Sequence, residues 1–420
     1  MATPLILKKV SRQLQEIAGW PSRFIQNTYV RALELICAAL TDRYWLLDYL
    51  PSHRKNFQTV LVVRLDLIGD FILWLDAAKE LRRIYPASRI VLYGNSVWSD
   101  IAQQLPFWDE VIPVDVPRLR TDLLYRIRVL FQIHRQSFDI ALQPTFSREY
   151  IGDLTIRSSN AAQRIAHFGD QNNINEDSKR LTDTWYTKLI GVDRLADSME
   201  LQSNAHFVNS LGGPTYSSGV PKLPVLSDPP SHFRINGRYV VIVPGSSWQP
   251  RAWPIEYFAE LMTQLNSNNP THFVLCGTTN EKALCEELLS LCPLLSIHNL
   301  AGYTSLAQMI EIIRGAEFTV ANESAAIHIA AATGTQSVCI TGGGHYGRFM
   351  PYQVRDSDTQ SIPITVTHRM DCFGCRWHCP FRTSPESAVP CITKISVGDV
   401  FAKCKLLLDS RVNQDENECR

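Results

Sequence analysis

Twice along the chain, short apolar runs alternate with amphipathic segments of helical period, and a Gly/Pro/Ser-rich stretch separates the two series. The first series runs through "TVLVVRL", the helical "DFILWLDAAKELRRIYP", then "RIVLYG", "EVIPVD" and "FDIALQP". The second runs through "RYVVIVPGSS", "PIEYFAELMTQL", "HFVLCGTTN", "EKALCEELLSL", "SLAQMIEIIRGA", "EFTVANES", "AAIHIAAATG" and "QSVCITGGG". Strands apolar on both faces need cover on both, so the pattern predicts parallel, doubly wound sheets with helices on each side. Two such α/β domains joined through Asn209–Pro230 place a cleft at their strand C-termini, where open sheets bind ligands. The expected boundaries are an N-terminal helical extension (1–56), a first domain (57–228), a second domain (229–400), and a C-terminal helix and tail (401–420).

What lies outside the two series narrows the setting. No window holds the roughly 18 uninterrupted apolar residues of a membrane span. At the N-terminus the positive charges follow a very short apolar patch, the reverse of a signal peptide. A cytoplasmic protein is the expectation, and its eleven cysteines read as reduced thiols or metal ligands. The formal net charge is zero, so no global field draws the chain to nucleic acid. Residues 1–56 carry eight Lys/Arg against four Asp/Glu, a local excess of 8 − 4 = +4. Their helices suit either packing on the body or a second subunit, or peripheral contact with an anionic membrane surface.

Three stretches carry chemistry. In "VVRLDLIGDFILWL" two carboxylates, Asp66 and Asp70, interrupt an apolar run around the lone Gly69. Without a second glycine the turn does not suit close approach of a dinucleotide pyrophosphate, and no Walker A sequence occurs anywhere. Asp70 reads either as a helix cap or as a group facing the cleft, and Asp66 as a turn-stabilising partner. In "IVPGSSWQPRAWPIEYF", Ser246 and Ser247 follow a buried strand in a loop able to hold a phosphate, with Arg251 to add charge. In "VANESAAIHIAAATG", Glu323 and Ser324 stand at a helix N-terminus, where Ser324 suits a capping role. His328 falls one turn later.

These three stretches, in this order and spacing from about Thr59 to about Val400, resemble glycosyltransferase family 9, the family of the bacterial ADP-heptose:lipopolysaccharide heptosyltransferases. The resemblance implies a GT-B fold, two Rossmann-like domains with the acceptor on the first and a nucleotide sugar on the second. It also implies inverting transfer that requires no cofactor. On this reading Asp70 is the catalytic base, and Ser246, Ser247, Arg251, Thr279, Glu323, Ser324, Ala325 and His328 are donor-binding. Arg251 replaces the family's usual lysine, Glu323 an aspartate and Ala325 a glycine, while Thr279 or Glu281 takes the place of a family acidic residue; these departures leave as alternatives the same fold with another nucleotide sugar, or a non-catalytic nucleotide-sugar-binding assembly protein. The implied partners are a nucleotide sugar and a lipid-linked or oligosaccharide acceptor. The expected location is cytoplasmic, with residues 1–56 as the candidate for peripheral contact at the inner face of the cytoplasmic membrane.

Two further clusters remain. Cys372, Cys375, Cys379 and Cys391 carry one C-x2-C pair, a set suited to structural zinc or iron or to buried thiols. In "VPRLRTDLLYRIRVLFQIHRQ", Arg118 and Arg120 are candidates for contact with an anionic acceptor, while other arginines of the segment read as solvated surface.

Overall fold

The computed structural model describes residues 58–191, 198–226, 237–354, 361–381, 384 and 387–418. The helices and basic excess read in residues 1–56 lie outside the described residues. In the first sheet the strands are β1 (Thr59–Arg64), β2 (Arg89–Asn95), β3 (Glu110–Val114), β4 (Ile140–Gln143), β5 (Gln163–His167) and β6 (Lys188–Ile190). They lie in the order β3-β2-β1-β4-β5-β6, all parallel. The second sheet holds β7 (Tyr239–Val243), β8 (His272–Leu275), β9 (Ser296–Asn299), β10 (Phe318–Asn322), β11 (Ser337–Ile340) and β12 (Ile364–Val366). Its order, β12-β11-β10-β7-β8-β9, repeats the first with the same reversal after the opening strand. That is the doubly wound dinucleotide-fold order, whose switch point makes a crevice at the strand C-termini.

Local sequence explains the arrangement. The six residues of β1 are all buried, as a central parallel strand covered on both faces must be. Pro113 lacks an amide hydrogen, and it lies in β3 at the sheet edge, where that loss is tolerated. Five helices matter for the site: α1 (Ile68–Ile84), α2 (Glu200–Asn209), α3 (Ile255–Asn268), α4 (Ala325–Thr333) and α5 (Val397–Glu418). Helix α1 has Asp70 in its first turn and Arg82 and Arg83 in its last, the charge order that the helix dipole favours. Helix α5 begins a few residues before the expected boundary.

Helix α1 lies between the first sheet and α4, and this explains why Phe71 to Ala78 are all buried. Phe71 stacks on Trp98 with ring centroids 4.1 Å apart. Burying side chains of this size contributes about 1.5–3 kcal/mol each. One hydrophobic cluster runs from α1 through α4 into the second sheet, and residues from Phe57 onward form one compact unit. Gly69 permits the close contact. A β-carbon there would stand 3.2 Å from His328 Cδ2 and 3.7 Å from Ala325 Cα. The lone glycine of the opening turn thus serves packing between the two sheets' helices.

The Gly/Pro/Ser-rich segment is anchored on both sides up to residue 226. Gly219 N–H donates to Asp76 Oδ2 of α1 at 2.9 Å, and Leu223 N–H donates to the Ala332 carbonyl of α4 at 2.8 Å. No helix of the described residues is long and apolar enough to cross a membrane.

Candidate active site

Strand β1 ends in a turn that aims two carboxylates at the cleft. The backbone carbonyl of Asp66 accepts from Asn95 Nδ2 (3.1 Å) and Trp98 Nε1 (3.0 Å), so Asp66 does stabilise the turn, but through its main chain. Its carboxylate pairs with Arg64 Nε at 2.8 Å, and Oδ1 is buried without a hydrogen-bond partner among the described residues. Arg64 is fully buried, lies 4.9 Å over the Trp74 ring, and donates from Nη2 to the Asp70 carbonyl at 3.1 Å.

Asp70 occupies the first turn of α1. The N-cap position belongs to Leu67 and carries no side-chain cap, so the capping reading of Asp70 does not hold. Burial raises the Asp70 pKa above the usual carboxylate range and nearby Glu200 raises it further, while Arg64 and Arg348 oppose the rise. Desolvation therefore outweighs the acidifying helix N-terminus. Asp66 is pushed up to about 7, by burial first, against the pull of Arg64 and with the charges of Asp70 and Glu200 adding to it.

The second sheet contributes the counter-charges. Arg348, in the segment after β11, reaches Ser147 Oγ (2.9 Å), Asp170 Oδ2 (3.4 Å) and Glu200 Oε2 (3.5 Å) across the cleft. Glu200 is buried at the start of α2. Asp66, Asp70, Glu200, Arg251, His345 and Arg348 share the wall of one cavity of about 340 Å³. Carboxylates and cations of opposite domains thus meet in one space sized for a small-molecule ligand.

The loop after β7 is held from below. Asn322, ending β10, donates from Nδ2 to the Pro244 carbonyl (2.7 Å) and accepts from Trp253 N–H (3.0 Å). Ser246 Oγ donates to the Trp248 carbonyl at 3.1 Å, and Ser247 Oγ accepts from Arg251 Nη2 at 2.6 Å. Arg251 Nε is buried without a partner among the described residues. Pro254 stands at the N-cap of α3, one place before the first turn. The Glu281 carboxylate lies over Gly245 and accepts from Thr278 N–H at 2.7 Å. Thr279 is exposed on that same turn.

Ser324 takes the N-cap position of α4 without making the expected cap bond, and its buried Oγ has no partner among the described residues. A buried hydroxyl and a buried guanidinium nitrogen left open on the same side of the site are the features an anionic ligand would satisfy. Glu323 is buried, its pKa raised by burial, and it accepts from Thr341 Oγ1. His328 is buried in the seam between α1 and α4, with Nδ1 2.8 Å from Tyr352 Oη and its ring stacked on Tyr352. Ala325 lies beside Gly69 in that seam.

Away from the cavity, Arg118 is engaged with Asp122 at 3.0 Å and lies over Tyr125. Arg120 pairs with Glu149, a residue of the cavity wall. Cys372, Cys375, Cys379 and Cys391 are free thiols. They lie near enough for burial and mutual charge to raise the pKa of Cys391. Among the described residues, no three His, Cys, Asp or Glu side chains gather as a metal ion requires.

Glu200, Arg348, His345 and Trp377 stand in no sequence pattern that marks a site, and Asn322 lies within "VANESAAIHIAAATG" without a role read from it. The glycine-rich TGGGH run (341–345), whose backbone is free to approach a ligand, is the one signal near His345.

Two doubly wound sheets of this order around a charged cleft have the GT-B architecture. Residues 221–371 match the model of glycosyltransferase family 9 (heptosyltransferase). The fold matches ADP-heptose lipopolysaccharide heptosyltransferase II of E. coli at 17% identity and TM-score 0.62, covering 84% of this chain and 99% of that one. It matches a family 9 glycosyltransferase from Veillonella parvula at 16% identity and TM-score 0.63, covering 84% and 98%. It also matches the dodecameric iron-containing heptosyltransferase TibC of E. coli, in complex with ADP-D-beta-D-heptose, at 15% identity and TM-score 0.52, covering 86% and 79%. A sequence search among curated proteins gives no match.

Proposed function

We propose that this chain is an inverting glycosyltransferase that moves a sugar, heptose from ADP-heptose, onto a lipopolysaccharide-core or related surface glycan. The observation that carries the reading is the single cavity walled by both Asp70 and Arg251, one from each sheet's side of the cleft. Asp70 takes the proton of the acceptor hydroxyl while that oxygen attacks the anomeric carbon. The bond to the diphosphate breaks on the opposite face, and the nucleoside diphosphate leaves. Arg251, Ser246, Ser247 and the Ser324 end of α4 offset the leaving charge without a divalent ion. The raised pKa of Asp70 supports its role as base, since a carboxylate more basic than usual accepts a proton more readily.

The resemblance to family 9, and the ADP-sugar complex of TibC, support the donor class. Glu323 is engaged by Thr341, which favours as second reading the same scaffold with a different nucleotide sugar. Thr279 or Glu281, Ala325 and His328 complete the proposed donor side. The ion pair of Arg120 with Glu149, a residue of the cavity wall, supports Arg120 over Arg118 as the contact for an anionic, lipid-linked acceptor. The basic excess in 1–56 supports peripheral contact at the inner face of the cytoplasmic membrane.

The four cysteines have the donor number and chemistry of a structural zinc or iron set, but their thiols do not gather around one point in this structure, so binding an ion would require the segment to rearrange. Left-handed backbone at Gly374, Arg376 and Trp377 gives the tight turn a knuckle needs, and the Gly343 N–H donates to Cys391 Sγ at 3.4 Å. Such an ion would brace the segment and take no part in transfer.

A thermal-shift panel of ADP, UDP, GDP and CMP with their sugars tests the donor, since selective UDP or GDP binding would overturn the heptose reading. Asp70→Asn should keep nucleotide binding and lower transfer by about 10²–10⁴-fold. Full activity in that variant removes Asp70 as base.

A further inference from the structure

The cysteine-rich segment reaches the donor side of the cleft through one indole. Gly374 N–H donates to the Gly343 carbonyl (2.7 Å) and Arg376 N–H to the Gly344 carbonyl (2.9 Å), laying the segment along the loop that follows β11. Trp377 then presses on Gly344, where an added β-carbon would come within 2.2 Å of the indole. Its own φ is 65°, a left-handed backbone that a bulky residue adopts only when its surroundings hold it.

Three donor-side groups converge on that ring. The Arg251 guanidinium lies 5.5 Å from the ring centroid, and Trp248 packs edge-on at 5.5 Å. The indole Nε1–H donates to His345 Nδ1 at 3.2 Å. An imidazole that accepts at Nδ1 while neutral must carry its proton on Nε2. Both His345 and Arg251 line the cavity.

We propose that Trp377 is a positioning residue of the donor site: it fixes His345 as the Nε2–H tautomer and steadies Arg251, so that a neutral and a charged donor together meet the oxygens of a nucleoside-diphosphate sugar. The inference rests on the donor-side reading of Arg251 given above. Burial, with Arg348 and Arg251 nearby, lowers the His345 pKa to about 4, which keeps the imidazole neutral near pH 7. Packing alone would be satisfied by any large ring, but the tautomer depends on the indole N–H. Phenylalanine therefore separates the two roles.

The test uses the full chain labelled with ¹⁵N-histidine, with His345 assigned by H345Q. Long-range ¹H–¹⁵N spectra of wild type should show Nε2–H at His345, and W377F should lose that fixed tautomer. ADP affinity by calorimetry should fall about tenfold in W377F and in H345Q, and the double variant should be no weaker than H345Q alone, as expected of residues acting through one hydrogen bond. A wild-type Nδ1–H tautomer, an unchanged tautomer in W377F, or normal ADP affinity in both variants overturns the proposal. If W377F does not fold, the wild-type tautomer and H345Q still decide it. If wild type binds no nucleoside diphosphate, the donor reading fails and the proposal falls with it; if wild type binds ADP and the variants do so equally well, only the role of Trp377 fails.

Discussion

His328 gives a pH-dependent stability whose sign and size follow from its burial. The side chain is 4% exposed in the seam between α1 and α4, and burial lowers its pKa from the ordinary 6.5 to about 4. A depressed folded-state pKa means that the unfolded chain binds the proton first. Stability from the neutral imidazole is complete above 6.5 and is lost as pH falls toward 4. At about pH 5 the loss spans roughly 1.5 pH units, and at about 1.4 kcal/mol per unit this gives roughly 2 kcal/mol. His328→Asn keeps a polar atom near Tyr352 and cannot titrate. It should cost about 1–3 kcal/mol at about pH 7.5 through lost ring contacts. That deficit should shrink by roughly 2 kcal/mol at about pH 5, because only wild type pays the protonation cost. Urea unfolding of both proteins at the two pH values measures the difference. A deficit that stays constant with pH would refute the buried, neutral assignment.

Other outcomes follow from neighbouring residues. Arg348→Gln removes a cation that lowers the Asp70 pKa, so the acidic limb of the pH–rate profile should move to higher pH; an unchanged limb would show that Arg348 does not act on the base. Gly69→Val drives a branched side chain toward His328 Cδ2, which a β-carbon alone would approach to 3.2 Å, and should cost about 1–3 kcal/mol by overpacking. Wild-type stability in that variant, measured by urea unfolding, would mean the helices are not closely docked there. Protein purified without an affinity metal should contain about one zinc or iron per chain if the four cysteines form the proposed site, and elemental analysis without stoichiometric metal would leave them as reduced thiols.

Much of this was legible in the sequence because central parallel strands must be apolar on both faces. "TVLVVRL" and "RYVVIVPGSS" read clearly as β1 and β7, and the loops after them carry Asp70 and Arg251. The polar or very short strands β5 ("QRIAH"), β9 ("SIHN") and β12 ("ITV") offered no such signal, since their place comes from neighbours. Periodicity also cannot place Glu200 and Arg348 beside Asp70, because tertiary folding brings them together from distant parts of the chain. Ser324 shows the limit of local rules. Its type and position suit a cap, yet its hydroxyl makes no cap bond. His328 fits a donor-site motif by resemblance, while its hydrogen bond and stacking are with Tyr352.

The contact between α1 and α4 has a mechanical consequence. On one side stands Gly69, and on the other a helix composed largely of alanine. A surface of small side chains has few knobs to lift out of holes, so displacement along it requires little rotamer change. Packed helices that slide in this way give shear rather than hinge motion. A small translation of one lobe along this seam would change the gap between Asp70 and the donor side while keeping the apolar contact covered.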